Sequence, residues 1–311
     1  MIRALLLRRA ALLPSLAALW CTSVLAESAA AQERDEARVT AEQLAPGLHL
    51  LFGAGGGQVA GNVLASIGPL GVLIVDTGFP AFVPQYRAKV AELGGGEIRF
   101  AINTHWHDDH AEGNKVLGPD GTVLIAQAIS RDMLTRHNKI NVVRTVLDQP
   151  AYASAAWPAI TYDTRIELHL NGEHLVLFHF SPAHTAGDTV VIFRDHNTVH
   201  MGDVFLSAAY PFFDVDNGGD FEGLIEFCSR VLDEIDRDTI VVPGHGQVAN
   251  YGDLLSYVDM LRTVRDRVAA LIAEGATLAQ VVAAQPTREW DAKYGNPTTY
   301  FLDRAYKSLT E

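Results

Sequence analysis

Residues 104–114 read Thr-His-Trp-His-Asp-Asp-His-Ala-Glu-Gly-Asn. This segment holds four potential metal ligands within six positions: His105, His107, Asp109 and His110. Imidazole nitrogens and carboxylate oxygens suit zinc, and on a short loop alternate residues can face one ion while their neighbours face a second. Packing alone does not explain four such side chains so close together. The segment therefore predicts a metal-dependent hydrolase.

A catalytic dinuclear site also needs ligands from distant segments, and three more positions qualify. His184 lies within residues 182–188, where small neighbours leave room around its ring, and Asp203 and His245 each follow a glycine. A lone histidine is more often a surface or hydrogen-bonded core residue, but these surroundings favour ligation. The other seven histidines lack them: His49, His137, His169, His174, His179, His196 and His200. We expect the three on strands near residues 171–172 to be solvated or packing residues.

Strand and turn signals alternate from residue 47 onward, and the candidate ligands lie at strand ends. Apolar runs predict strands over 48–52, 62–67, 71–76, 98–102, 162–170, 173–180, 188–193, 198–201 and 240–242. Helical spacing predicts helices over 83–93, 221–235 and 253–274. Asn171-Gly172 is a strong hairpin signal. We infer one α/β domain in which two strand-and-helix halves pack together, with functional groups on loops at the ends of strands.

The N-terminus predicts an export signal. Three arginines precede an apolar stretch over residues 10–26, and Pro14 and Ser15 within it argue against a membrane anchor. Small residues allow cleavage after Ala26 or, alternatively, after Ala31. The paired arginines leave both the Sec and the twin-arginine routes open. We therefore expect a periplasmic protein.

The mature chain is expected to be acidic and without an internal disulfide. Removing residues 1–26 leaves Cys228 as its single cysteine, and takes away three arginines and no acid, so the formal charge changes from −13 to −16. Such a chain repels phosphate backbones, so nucleic acid is not an expected partner, and neither is a membrane after cleavage. Residues 27–44 are polar and alanine-rich and predict a flexible segment. Residues 45–311 then form the domain, including its C-terminal helices.

Four ordered segments resemble the signature of the metallo-β-lactamase superfamily. They are His-X-His-X-Asp-His, Pro-X-His-Thr, Gly-Asp and Pro-Gly-His-Gly, and the similarity extends from about residue 45 to about residue 250. The strand ending in Val75-Asp76-Thr77-Gly78 is a further similarity. The resemblance implies a four-layered αβ/βα sandwich. For Asp76 it leaves two roles open, support of a ligand or a turn.

The resemblance also implies a ligand set and a reaction. His105, His107 and His184 would bind one zinc ion, Asp109, His110 and His245 a second, and Asp203 would bridge the two. A hydroxide shared by the ions would attack a carbonyl carbon, since a single zinc already lowers the pKa of its bound water to roughly 7. Asp109 would act as a catalytic residue that orients this nucleophile.

The substrate stays open between three classes. Secreted β-lactamases carry a cysteine at the position of Asp203 and a lysine at the position of Leu206, whereas the ligand set here resembles glyoxalase II and the lactonases. Those thioesterases act on cytosolic glutathione conjugates, so the expected export and a glycine-rich flap at residues 53–57 favour β-lactams. Tyr210 and Asn217 are candidate substrate-binding residues.

Two redox alternatives concern the metal. Flavodiiron proteins carry a carboxylate where this chain has His107, which favours zinc over a di-iron centre. The persulfide dioxygenases of the superfamily share the first segment and use a single iron, so an iron oxygenase remains the third class beside β-lactamases and lactonases or thioesterases. A metal-binding protein without catalytic activity is a fourth alternative.

Overall fold

Two β-sheets form the centre of the molecule, and helices cover the outer face of each. The computed structural model describes residues 38–54, 60–298 and 300–311. The export signal expected within residues 1–26 lies outside these residues, as does most of the glycine-rich flap expected at 53–57.

The first sheet contains the ligand-rich segment. Within the described residues its strands are β1 (Arg38–Ala45), β2 (Leu48–Ala54), β3 (Val63–Gly68), β4 (Gly71–Val75), β5 (Ile98–Ile102), β6 (Val123–Gln127) and β9 (Ile160–Tyr162). They lie side by side in that order. β1 to β4 pair antiparallel, whereas β4, β5, β6 and β9 run parallel, so the carboxyl ends of these four strands meet at one edge.

The second sheet contributes the remaining candidate ligands. Its described strands are β10 (Arg165–Leu170), β11 (Glu173–Phe178), β12 (Val190–Phe193), β13 (Thr198–His200), β14 (Ile240–Val242) and β15 (Ala249–Asn250), again in spatial order. The separate hairpin formed by β7 (Asn138–Asn141) and β8 (Val146–Gln149) belongs to neither sheet.

The helices lie on the two outer faces and in the loops between strands. They are α1 (Val83–Glu92), α2 (Asp108–Ala111), α3 (Asn114–Leu117), α4 (Ala128–Leu134), α5 (Phe221–Glu234), α6 (Tyr251–Ala273), α7 (Leu278–Ala283), α8 (Asp291–Tyr294) and α9 (Phe301–Ser308). In the described part of the chain, none of them combines the length and the apolar character needed to span a membrane.

Alternating side chains of the buried strands create the layers. In β4, Leu73 and Val75 belong to the core between the two sheets, whereas Val72 and Ile74 pack in the core beneath α1. β11 repeats this alternation, with its other face turned to the core beneath α5 and α6. Successive side chains of a strand point to opposite faces, so a strand that is apolar throughout must be covered on both sides. The result is helix, sheet, sheet and helix, and the predicted four-layered fold is confirmed.

Three sequence expectations differ from the structure. Residues 38–44 belong to β1 instead of the flexible segment predicted for 27–44. Antiparallel pairing with β2 satisfies the backbone N–H and C=O groups of this segment, and this pairing does not require apolar side chains. The strand predicted over 162–170 is two strands, since the chain leaves the first sheet after Tyr162 and enters the second at Arg165. The β7–β8 hairpin was not predicted, because its two short strands carry no clear alternation of apolar residues.

Candidate metal centre

The candidate ligands gather at the edge where the parallel strands end. His105 and His107 lie in the loop after β5, and Asp109 and His110 lie in the short helix α2. His184 precedes β12, while Asp203 and His245 follow β13 and β14. All seven candidate ligands predicted from the sequence therefore come together, although they span 141 positions of the chain from 105 to 245.

Three buried histidines form the first group. The ligand nitrogens of His105, His107 and His184 lie within 4.8 Å of one another. His184 Nε2 is 2.9 Å from His107 Nδ1, and His105 Nε2 is buried without a hydrogen-bond partner. The other ring nitrogen of His184 donates to the carbonyl of Phe212, which leaves Nε2 as the lone-pair nitrogen. Three imidazole lone pairs thus face the same point.

Asp109, His110 and His245 form a second, more exposed group. His245 Nε2 lies 3.1 Å from Asp109 Oδ2 and 3.1 Å from His110 Nε2. The side chains of Asp109 and His245 are each 28% exposed, whereas His110 is fully buried. This group therefore faces solvent, from which a substrate can approach.

Asp203 stands between the two groups. Its Oδ1 lies 3.1 Å from His110 Nε2 and 3.6 Å from His245 Nε2, while Oδ2 lies 3.8 Å from His184 Nε2. Each carboxylate oxygen thus faces a different group of imidazoles. A carboxylate in this position can be shared by two cations.

The electrostatics of His105, His184 and Asp109 suit ligation by neutral imidazole and ionised carboxylate. Burial, reinforced by the neighbouring histidines, holds the pKa of His105 well below its usual value, and burial lowers the pKa of His184 to about 4. Burial alone would raise the pKa of Asp109, but nearby His110 and His245 outweigh it and lower that pKa to about 2. At neutral pH these groups therefore present lone pairs and negative charge, as metal binding requires. Neighbouring carboxylates outweigh burial at His107, His110 and His245 and raise their pKa values, so a cation at these three residues competes with a proton.

Glycines keep the space around the ligands open. A Cβ atom added at Gly244 would lie 2.0 Å from Asp203 Oδ1, and one added at Gly61 would lie 2.2 Å from His110 Cε1. Any side chain at either position would displace a ligand. The sequence already indicates a role for Gly244, because it directly precedes His245. No sequence pattern indicates one for Gly61, which lies 49 positions before His110.

Asp76 supports a ligand, which decides between its two predicted roles. Its carboxylate accepts hydrogen bonds from the backbone N–H of Thr104 at 2.7 Å, from the Thr104 hydroxyl at 2.9 Å and from His110 Nδ1 at 2.7 Å. The contact with His110 fixes the tautomer of this ring and points its Nε2 toward Asp109 and His245. Asp76 also has a backbone φ of 65°, which is uncommon outside glycine.

Asp214 is a second supporting carboxylate, and sequence reasoning missed it. It is fully buried, and its Oδ2 lies 3.3 Å from His107 Nε2 and accepts from Asn217 Nδ2 at 2.8 Å. Its backbone N–H donates to the carbonyl of His184 at 2.7 Å. One residue thus positions two ligands that come from different sheets. Its segment, Phe-Asp-Val-Asp, offers no pattern that would have shown this.

The two candidate substrate-binding residues lie outside the cavity above the ligands. Tyr210 is buried, and its hydroxyl donates to the Thr287 carbonyl and to Asp291 at 2.8 Å. The amide of Asn217 donates to Asp214 and to the Lys139 carbonyl in β7. The prediction for Tyr210 is wrong because its ring packs into the core under α8 and α9. Asn217 instead links Asp214, which supports His107, to the β7–β8 hairpin.

A cavity of about 340 Å³ opens above the candidate ligands. Its floor consists of ligands and Asp108, and five apolar side chains form its wall: Phe79, Ile140, Val142, Leu147 and Phe212. Three of these five belong to the β7–β8 hairpin or its turn. Among the described residues that line the cavity there is no lysine or arginine.

Comparison with known proteins agrees with this geometry. The family model of the metallo-beta-lactamase superfamily matches residues 56–273. The chain belongs to the metallo-β-lactamase superfamily. No curated protein matches it in a sequence search.

Solved structures of the superfamily share its fold at low sequence identity. DIM-1 metallo-beta-lactamase is 19% identical with a TM-score of 0.58, covering 73% of this chain and 99% of that one. A metallo-beta-lactamase from Pontibacter korlensis is 16% identical with a TM-score of 0.59, covering 72% and 99%. TMB-1 is 18% identical with a TM-score of 0.55, covering 72% and 96%. As a member of the metallo-β-lactamase superfamily, the protein is a metallo-hydrolase that acts on small molecules.

Proposed function

We propose that the protein is a zinc-dependent hydrolase with two zinc ions per chain. The observation that carries this proposal is the convergence of five imidazoles and two carboxylates in two groups, with Asp203 between them. Nitrogen and oxygen donors without thiolate are typical of hydrolytic zinc sites. His105, His107 and His184 would hold one ion, and Asp109, His110 and His245 the other.

Three aspartates of the chain would assist the reaction, one by orienting the attacking water and two by holding metal ligands in place. When bound, two zinc ions would supply a nucleophilic hydroxide at neutral pH and stabilise negative charge on the substrate. Asp109 borders the cavity, and its low pKa keeps it ionised, so it can accept a hydrogen bond from the attacking water and orient it. Asp76 and Asp214 hold His110 and His107 in place, which preserves the geometry during turnover.

We propose β-lactam ring opening as the reaction. Attack on a strained amide needs a strong nucleophile and stabilisation of the leaving nitrogen, and a dinuclear centre offers both. Export, which we propose from the arginines and the apolar stretch of residues 10–26, would bring the enzyme into contact with such compounds. N-terminal sequencing of the secreted form checks this export, and Glu27 or Gln32 is the expected first residue.

The apolar wall of the cavity favours a second candidate, hydrolysis of a lactone or thioester. Most β-lactam antibiotics carry a carboxylate, yet the described cavity residues include no lysine or arginine, and Leu206 is buried. An uncharged acyl chain would bury apolar surface against Val142 and Leu147, which is worth about 0.8 kcal/mol for each CH₂ group.

A substrate panel separates the two candidates. The zinc-loaded enzyme is offered a chromogenic cephalosporin, a carbapenem, an acyl lactone and an acyl thioester. Turnover of the cephalosporin or the carbapenem supports β-lactam opening. If both stay at background rates while the lactone or the thioester is hydrolysed rapidly, the second candidate replaces β-lactam opening.

Elemental analysis tests the metal content. It should give two zinc ions per chain, and one iron with negligible zinc would instead indicate a persulfide dioxygenase.

The β7–β8 hairpin provides a matched pair of variants for the second candidate. Leu147 lines the cavity, while its neighbour Val146 is more than half exposed and does not. Leu147→Ser should lower kcat/KM for long-chain acyl substrates and leave short-chain substrates nearly unchanged. Val146→Ser should change neither, and equal effects of the two substitutions would rule out an acyl site at the hairpin.

A further inference from the structure

A pair of histidines lies on the exposed face of the β10–β11 hairpin, away from the residues that line the catalytic cavity. His169 of β10 pairs directly with His174 of β11 in the sheet register. Their rings stack with centroids 4.7 Å apart and planes at 20°. Glu167 precedes His169 by two positions, so its side chain points to the same face of the sheet. Two imidazoles and a carboxylate thus share one small patch.

The donor atoms of this patch are close enough to share an ion. The ligand atoms of Glu167, His169 and His174 lie within 4.8 Å of one another, and Glu167 Oε2 is 3.1 Å from His174 Nε2. Zinc–nitrogen bonds of about 2.0 Å in a tetrahedral site place two donors roughly 3.3 Å apart. The side chains of Glu167 and His174 are 44% and 36% exposed, so small rotations can close the remaining gap.

We propose that Glu167, His169 and His174 form an independent surface site for one divalent transition-metal ion. Imidazole nitrogen suits copper, nickel and zinc, and the Irving–Williams order gives Cu²⁺ the highest affinity among them. Water would complete the coordination on the open side. Asp195, which accepts the backbone N–H of His174 at 2.7 Å, adds negative charge beside the patch.

Arg165 opposes cation binding at this patch. Its Nη2 lies 3.0 Å from Glu167 Oε1, so the guanidinium competes with the ion for this carboxylate. The other oxygen of Glu167 faces His174 and stays available. Arg165→Ala should therefore tighten binding of Cu²⁺, an effect that a random surface contact of the ion with one histidine would not produce.

An ion at this site would stabilise an edge of the fold. β10 is the outermost strand of the second sheet, and the turn that follows it contacts the first sheet. Asn171 in that turn accepts from the backbone N–H of Leu70 at 3.0 Å and donates to the Gly71 carbonyl at 2.9 Å. Joining His169 to His174 would hold β10 against β11 and keep this contact between the sheets, so bound Cu²⁺ should raise the unfolding temperature.

Chromatography on immobilised Cu²⁺-iminodiacetate tests the site with the zinc-loaded full-length mature enzyme. In the zinc-loaded enzyme the catalytic imidazoles would be occupied by zinc and would not be free to bind an immobilised ion, whereas His169 and His174 would be free. We expect His169→Ala and His174→Ala each to elute markedly earlier than the wild type. The matched control is His137→Ala, because His137 is also exposed and paired with a carboxylate, Asp148 at 2.7 Å, and should elute like the wild type.

Titration with less than one equivalent of Cu²⁺ gives a second readout. Electron paramagnetic resonance should show two imidazole nitrogens on the copper, and either histidine substitution should lower the affinity about 100-fold, since it removes one arm of a chelate. Zinc release is followed with a chromophoric chelator, so that exchange into the catalytic centre is recognised. A single bound nitrogen, or equal retention of His174→Ala and wild type, would overturn the proposal, and the proposed hydrolase would stand unaffected.

Discussion

Replacement of Asp76 by Asn should weaken metal binding without removing any ligand. Asp76 accepts a hydrogen bond from His110 Nδ1 at 2.7 Å, and both groups are fully buried. Asn has nearly the same shape but no charge, so it holds His110 less firmly in the tautomer that points Nε2 to the metal. The two hydrogen bonds from Thr104 can persist in part, because one amide oxygen remains.

The magnitude follows from the contact with His110, which loses its carboxylate partner. Loss of a carboxylate partner of a ligating histidine typically lowers metal affinity or activity 10- to 100-fold, which corresponds to about 1.4–2.8 kcal/mol. We expect this loss at the ion held by Asp109, His110 and His245 and little change at the other. Competition with a chromophoric zinc chelator measures both affinities, and kcat/KM should fall by a similar factor.

Asp188 supplies a closely matched control. It is equally buried and likewise accepts hydrogen bonds from the N–H and the hydroxyl of a threonine, Thr185, at 2.8 and 2.7 Å. Among the described residues, no hydrogen bond joins Asp188 to a candidate ligand. Asp188→Asn should therefore leave zinc affinity within about twofold of the wild type. If Asp76→Asn kept wild-type affinity, or if both variants lost it equally, Asp76 would not be the residue that supports His110.

Three further outcomes are expected. Removing metal with a chelator should abolish hydrolysis, added zinc should restore it, and a serine-directed inhibitor should have no effect on the rate. Tyr210→Phe should lower the free energy of unfolding by about 1–3 kcal/mol in urea denaturation, because it removes hydrogen bonds to Thr287 and the Asp291 carboxylate, and should leave KM unchanged. Burial, opposed by the hydrogen bonds from Thr185, raises the pKa of Asp188 from 3.8 to about 7, so the unfolded chain releases this proton at lower pH than the folded one. The metal-free wild type should therefore lose stability relative to Asp188→Asn as pH rises from about 4 to about 7, and parallel stability curves for the two proteins would contradict this.

The seven candidate ligands could be predicted because their signals are local. Four lie within six positions, and the others are flanked by residues too small to obstruct an ion. The buried strands were predicted for the same reason, since a run of apolar residues has few alternatives to burial on both faces. The strand over 98–102 was predicted with the bounds that the structure shows.

The supporting residues and the cavity wall could not be predicted, because they depend on contacts between distant segments. Asp214 meets His107 across 107 positions of the chain, and only the packing of the two sheets brings them together. Tyr210 looked like a pocket residue because it follows a ligand, yet its side chain turns toward α8 and α9. The β7–β8 hairpin lacks a periodic pattern and lies over the ligands because Gln149 bonds the carbonyl of Trp106 and Asn217 bonds that of Lys139. A local pattern thus determines which residues can bind a metal, whereas the neighbours that orient them and shape the substrate site depend on which surfaces fold against each other.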